Sequence, residues 1–192
     1  MRRLLLTTFV LMLGASLALA ADLPGGRIGI FSETGGTNCA VTDAAPGLLQ
    51  VFIVHTLTTG AAACQYVAAK PGCFTATYLS DTNPFAVVIG NSQTGVSIGY
   101  GSCKIGTVHV QTMSFFAAGT TPACCKYTIA CDPLAATGAC ALGYVDIVDC
   151  GQSAAFAKPQ VGVINPNSTC LCADIIPAQE SSWGQIKSLY NE

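Results

Sequence analysis

Apolar residues in this chain come in short runs, many of them β-branched, separated by clusters of Gly, Asn, Asp and Pro. RIGIFSE (27–33) alternates and stops at GGTN, and LLQVFIVHTL (48–57) follows the turn signal APG. FAVVIG (85–90), GVSIGY (95–100) and TVHVQTMSFF (107–116) come next, divided by NSQTG and GSCKIG. YVDIVDC (144–150) and VGVI (161–164) complete the series. Runs of this length, rich in Val, Ile, Thr and aromatics and bounded by turn formers, predict strands. Seven or more strands at close spacing predict an all-β fold, an antiparallel two-sheet sandwich of the immunoglobulin-like or jelly-roll kind. No repeat of solenoid length interrupts the series.

The two ends differ from the middle. MRRLLLTTFVLMLGASLALA opens the chain with Arg2 and Arg3, then an apolar run, then Ala18 and Ala20 at the −3 and −1 positions of an A-x-A site. This pattern predicts a secretory signal peptide over residues 1–20. The run is short and broken by Thr, Gly and Ser, which fits cleavage better than a membrane anchor. At the other end, ESSWGQIKSLYNE places Trp183, Ile186 and Leu189 at three-residue intervals with Tyr190 beside them. Ser181 or Ser182 caps the start of a short amphipathic helix, about two turns long and stable only when docked. Its apolar face either packs on its own domain or is offered to a partner, with Trp183 as anchor. The expected organisation is therefore a leader over 1–20, a β-sandwich domain over 21–176, and a tail over 177–192.

Charge narrows the partners. Loss of Arg2 and Arg3 leaves six basic residues against ten acidic ones, the basic ones scattered singly. Without a cationic stripe, nucleic-acid binding is not expected. Only 9% of the chain is charged and 51% is hydrophobic, so disorder is not expected either, and Thr, Ser, Asn and Gln must supply most of the polar cover. No second segment reaches the length of a membrane span.

Cysteine is the least ordinary component. The eleven are Cys39, Cys64, Cys73, Cys103, Cys124, Cys125, Cys131, Cys140, Cys150, Cys170 and Cys172. An exported chain meets an oxidising compartment, where disulfides are the default. No C-x-x-C occurs, and neither histidine lies near a cysteine pair, so zinc-knuckle and thioredoxin-type readings lack their spacing. In extended backbone Cys124 and Cys125 point to opposite faces and would reach different partners, whereas Cys170 and Cys172 share a face and could clamp the C-terminal segment. Sequence leaves the pairing open, and the odd number requires a free thiol or a link to another chain.

Candidate chemistry is sparse. His55 and His109 each follow a valine in a strand-like run; on neighbouring strands they could meet around a metal, although core or sheet-surface positions are the commoner fate. Met113 lies near His109, but no cysteine and second histidine complete a blue-copper set. No G-x-S-x-G elbow, calcium-loop or phosphate-loop pattern is present. Asp146 and Asp149 are three apart and would face opposite ways in a strand, while Asp132 and Asp81 read as turn formers. No catalytic residue, metal or cofactor is assigned.

GRIGIFSETGGTNC, VFIVHT, FAVVIGNSQTGVSIGYGSC, GTTPACC, DIVDC and WGQIKSLY together resemble a family of exported, cysteine-rich bacterial β-sandwich proteins, from about Gly26 to the end. More loosely, the strand arrangement is similar to immunoglobulin-like and cohesin-like sandwiches. The resemblance implies the fold and brings no activity with it. The expected role is non-catalytic: a secreted or extracytoplasmic module, in the periplasm or at the cell surface, that binds protein or glycan or builds an envelope layer. A small secreted hydrolase is the alternative. Two facing carboxylates in a cleft would favour it; aromatics exposed in a row would favour glycan, and an apolar exposed sheet edge a protein.

Overall fold

The computed structural model describes residues 23–135 and 138–172. The expected signal peptide, and the expected helix carrying Trp183, Ile186, Leu189 and Tyr190, lie outside the described residues. The described residues form ten strands and one short helix: β1 (Arg27–Phe31), β2 (Ala40–Val41), β3 (Pro46–Tyr66), β4 (Thr77–Thr82), β5 (Val87–Asn91), β6 (Gly95–Ala118), β7 (Cys125–Tyr127), α1 (Ala139–Leu142), β8 (Val145–Asp149), β9 (Ala154–Gln160) and β10 (Gly162–Ile164).

The organising unit is the antiparallel pair β3–β6, with strands of 21 and 24 residues. Strands this long twist and bend rather than lie flat. The register shifts repeatedly between Ile53 and Ala63, Leu57 has φ 57°, and Gly101 and Gly106 have φ 72° and 85°. GSCKIG, expected to separate two strands, is thus a bend inside β6. The bend lets each long strand serve two sets of neighbours. The first half of β3 pairs β1 and the second half pairs β8; the first half of β6 pairs β5 and the second half pairs β4. Strand β9 pairs β8 on one side and β1 on the other, so the seven-stranded sheet closes partly on itself.

Both halves turn one face into a shared core. Ile28, Ile30, Val51 and Ile53 from one half meet Cys64, Tyr66, Val96, Ile98 and Tyr100 from the other. Alternation sets the inward face, as in β6, where Val96, Ile98 and Tyr100 are buried between half-exposed Ser97 and Gly99. Phe115 anchors an aromatic cluster with its ring 4.9 Å from Phe74, 5.7 Å from Tyr78 and 6.3 Å from Tyr127.

A separate three-stranded sheet, β2-β10-β7, completes the fold. The sheets are mainly antiparallel, but β1–β9 and β2–β10 are parallel, a correction to the purely antiparallel expectation. These are pairings of strands distant in sequence, which no hairpin constrains.

Buried Asp43 fastens the end of β6 to the small sheet. Its carboxylate accepts from Gly119 N at 2.8 Å and from the Thr121 hydroxyl. Asn165 accepts from Asp43 N at 2.8 Å and donates from Nδ2 to the carbonyls of Asp43 and Thr121 at 3.0 and 2.7 Å. Asp43→Ala strands buried donors and is expected to cost about 2–3 kcal/mol. In a domain of this size that lowers the melting temperature by roughly 5–10 °C, measurable by calorimetry.

Candidate functional site

Five disulfides hold the described residues: Cys39–Cys172, Cys73–Cys125, Cys103–Cys150, Cys124–Cys170 and Cys131–Cys140. Adjacent Cys124 and Cys125 bond to different partners, and Cys170 and Cys172 tie the C-terminal segment to the chain just before β7 and just before β2. The Cys103–Cys150 bridge joins β6 to the end of β8 across the strand between them. Gly60 of that strand passes beneath it, where a Cβ would meet Cys150 Sγ at 2.8 Å. Cys64 remains a free thiol, buried in the core, with desolvation pushing its pKa up to about 12. A thiol so held is neither a nucleophile nor a ligand at neutral pH.

The two histidines do not meet. Their strands pair, with His55 opposite Val108 and Val54 opposite His109, so the imidazoles project from opposite faces. His55 is fully buried; its Nε2 lies 2.5 Å from the Gly25 carbonyl and its Nδ1 3.1 Å from the Tyr100 hydroxyl. A carbonyl can only accept, so Nε2 carries the proton and Nδ1 accepts from Tyr100. That hydroxyl in turn interacts with the Cys64 thiol. The result is a closed polar chain within the core. His109 is half-buried, its Nε2 3.0 Å from the Thr112 hydroxyl and its ring edge-on to Phe52.

Burial lowers the pKa of His55, partly offset by the Gly25 carbonyl. The unfolded chain therefore takes up a proton near the ordinary histidine value while the folded one still refuses it. Stability is full above about pH 6.5 and falls as pH drops through that value toward the depressed one. Burial of His109 acts in the same direction. Tyr100 and Cys64, both pushed upward by burial, stay neutral throughout. The melting temperature is expected to fall between about pH 7.5 and about pH 5, and His55→Gln should flatten that slope.

Carboxylates are also dispersed or tied. Asp81, expected as a turn former, sits in β4 and accepts from Ser92 N and Oγ at 2.7 and 2.9 Å; a strand residue is latched there to the β5–β6 turn. Asp132 does form a turn, accepting from Leu134 N at 2.9 Å. Asp149 lines a shallow pocket of about 260 Å³ with Pro24, Thr59 and Ile147. The lining has no histidine, and its cysteine, Cys150, is bonded. Asp146 faces away from that pocket. Among the described residues no group of three His, Cys, Asp or Glu side chains is placed to hold a metal, and no helix is long and apolar enough to cross a membrane.

The surface offers a more definite feature. Two rows of cross-strand partners run over the outer face of β5, β6, β3, β8 and β9. One is Val87, Gly99, Ala63, Val148 and Ala154; the next is Ile89, Ser97, Gln65, Asp146 and Phe156. Val87 is 59% exposed, Ile89 72% and Val148 36%, with small residues between them. Tyr144 stacks on Phe156 at one margin, and the Cys131–Cys140 loop lies over part of the second row, where Gln65 Nε2 donates to Asp132 at 3.0 Å. Leu134 and Leu142, on that loop and on α1, are 84% and 60% exposed.

Strand β5 pairs only with β6 among the described residues, so its far edge is open. Its sequence, VVIGN, carries none of the Lys or Pro that commonly protect an edge. Sequence reading identified this strand, but its alternating face could not be told from FAVVIG, because Val87, Val88 and Ile89 are all apolar.

No family model matches the chain, and no curated protein matches it. Among solved structures it is similar to a non-cellulosomal cohesin from the archaeon Archaeoglobus fulgidus, at 12% identity and a TM-score of 0.49, over 74% of this chain and 91% of the other. A cohesin module from a Clostridium perfringens family 33 glycoside hydrolase gives 6% identity and a TM-score of 0.48, over 77% and 98%. A type II cohesin domain from the cellulosome of Acetivibrio cellulolyticus gives 12% and 0.48, over 80% and 98%. These solved neighbours are cohesin modules, similar in chain trace at low sequence identity.

Proposed function

We propose that this chain is an exported, non-catalytic binding module, built as a cohesin-like sandwich, and that its ligand is a protein. The observation that carries the reading is the outer face around Val87, Ile89 and Val148, which is aliphatic and continuous with the unprotected edge of β5. An exposed apolar face of this kind on a stable domain is a feature of interaction sites. The small residues between the aliphatic ones allow close approach of a partner surface, and the open edge offers main-chain groups for strand addition.

The chemistry favours protein over glycan. Of the large hydrophobic residues most exposed among the described residues, Phe116 alone is aromatic; the rest are Leu, Ile and Val. Sugar binding draws on stacked aromatic platforms, and no exposed row of them lies on the described sheets. Five disulfides fit export to an oxidising compartment, in line with the leader expected over 1–20. The Trp183 tail is a second candidate contact within the same proposal.

The test introduces charge on the face. A partner captured by the wild-type protein from the exported fraction of its source cells should be lost with Ile89→Glu and with Val148→Glu. Each is expected to weaken binding at least about tenfold, as for residues near the centre of an interface. Leu48→Glu, on the outer face of the other half, should bind normally. Equal capture by all three variants would overturn the placement of the site, and binding to a glycan array with no protein captured would overturn the class.

A further inference from the structure

Asp146 is 5% exposed, and neither of its carboxylate oxygens accepts a hydrogen bond among the described residues. A buried carboxylate with both oxygens unpartnered is costly and calls for a compensating group. It lies directly opposite Gln65 across the β3–β8 pairing, on the same face. Gln65 Nε2 donates to Asp132 Oδ2 at 3.0 Å, and the other end of the amide, its oxygen, is an acceptor. Asp132 is held rigidly: Leu134 N donates to its other oxygen at 2.9 Å, and Gly95 passes so close that a Cβ there would lie 2.6 Å from Oδ2. The Cys131–Cys140 bond closes the loop that brings Asp132 over β8.

We propose that Asp132, Asp146 and the Gln65 amide oxygen form a binding site for a hard divalent cation, with Ca²⁺ the best fit. The donors are all oxygen, and the two nearby cysteines are bonded to each other and cannot ligate, so soft metals find no ligand. Two carboxylates balance the charge of one divalent ion. Six to eight ligands are usual for calcium, so main-chain carbonyls and water would complete the shell. Burial and the neighbouring Asp132 charge both push the Asp146 carboxyl upward, the effect a cation between them would reverse. A site with only two carboxylates suits the calcium-rich exterior, where modules bind at 10⁻⁴ to 10⁻³ M, roughly. This inference does not depend on the aliphatic face being a binding surface.

Calorimetric titration of the native protein with CaCl₂ after chelation should show one site, and ~5 mM Ca²⁺ should raise the melting temperature over that in EDTA by about 3–8 °C. Asp146→Asn and Asp132→Asn should each abolish both responses, and Mg²⁺ should reproduce little of either. Absence of titratable binding in the native protein would overturn the proposal outright, whatever the variants do. So would a calcium response kept in full by Asp146→Asn. An Asp146→Asn protein that melts higher than wild type, with the wild type indifferent to Ca²⁺, would show instead that the carboxyl is simply buried as the neutral acid.

Discussion

Reduction under otherwise native conditions is expected to lower the melting temperature by about 20 °C or more, or to unfold the protein at room temperature. Four of the five bridges span 133, 52, 47 and 46 residues, and the fifth spans 9. On the chain-entropy account a closed loop of ~15 residues is worth ~3 kcal/mol and one of ~100 about 4.7. The loops overlap, so their contributions do not add. Even two independent bridges supply ~6–8 kcal/mol, comparable with the whole stability of an ordinary domain. Scanning calorimetry with and without reductant measures the effect, and an unchanged melting point would contradict it. Thiol titration gives the companion result: Cys64 should be silent in the native protein and react once denaturant opens the core.

Phe115→Ala is expected to destabilise by about 3–5 kcal/mol, while Phe116→Ala stays within about 0.5 kcal/mol of wild type. The two residues are neighbours on β6 and point to opposite faces. Phe115 is fully buried against Phe74, Tyr78 and Tyr127, whereas Phe116 is 54% exposed. Truncating Phe115 loses its transfer free energy and leaves a cavity that three rigid rings cannot close. Chemical denaturation of both variants provides the comparison. Equal losses would mean that the register of β6 is wrong.

The contrast between these two residues shows where sequence reading succeeds and where it stops. β1, β5, β8 and β10 were legible because RIGIF, VVIGN, VDIVD and GVI are β-branched runs between turn formers. β4 and β9 were not: TYLSDT carries Ser and Asp, and AAFAKPQ has alanines and a proline. Both strands are held by their neighbours' hydrogen bonds rather than by intrinsic preference. GSCKIG looked like a loop because its glycines do adopt positive φ, yet they bend a strand that continues. An all-β class could be read from local pattern. The partial closure of the sheet could not, because it rests on β1 pairing with residues more than a hundred positions away.

The candidate site was legible only in pieces. Val87 and Ile89 were visible as strand residues, but their exposure depends on Val88 and Ile98 turning inward together. Asp132 and Asp146 were read separately, as a turn former and a strand residue, and nothing local links them. Their approach is made by the Cys131–Cys140 loop folding over β8, and disulfide pairing among eleven cysteines has no local signature.

The most direct test of the binding role is amide hydrogen exchange of the protein alone and with its captured partner. Protection concentrated in 87–91, 95–99, 63–65 and 145–148 would place the partner on the aliphatic face and at the open edge of β5. Protection confined to the outer face of the other half, around Leu48 and Phe116, with none on the aliphatic face, would contradict it.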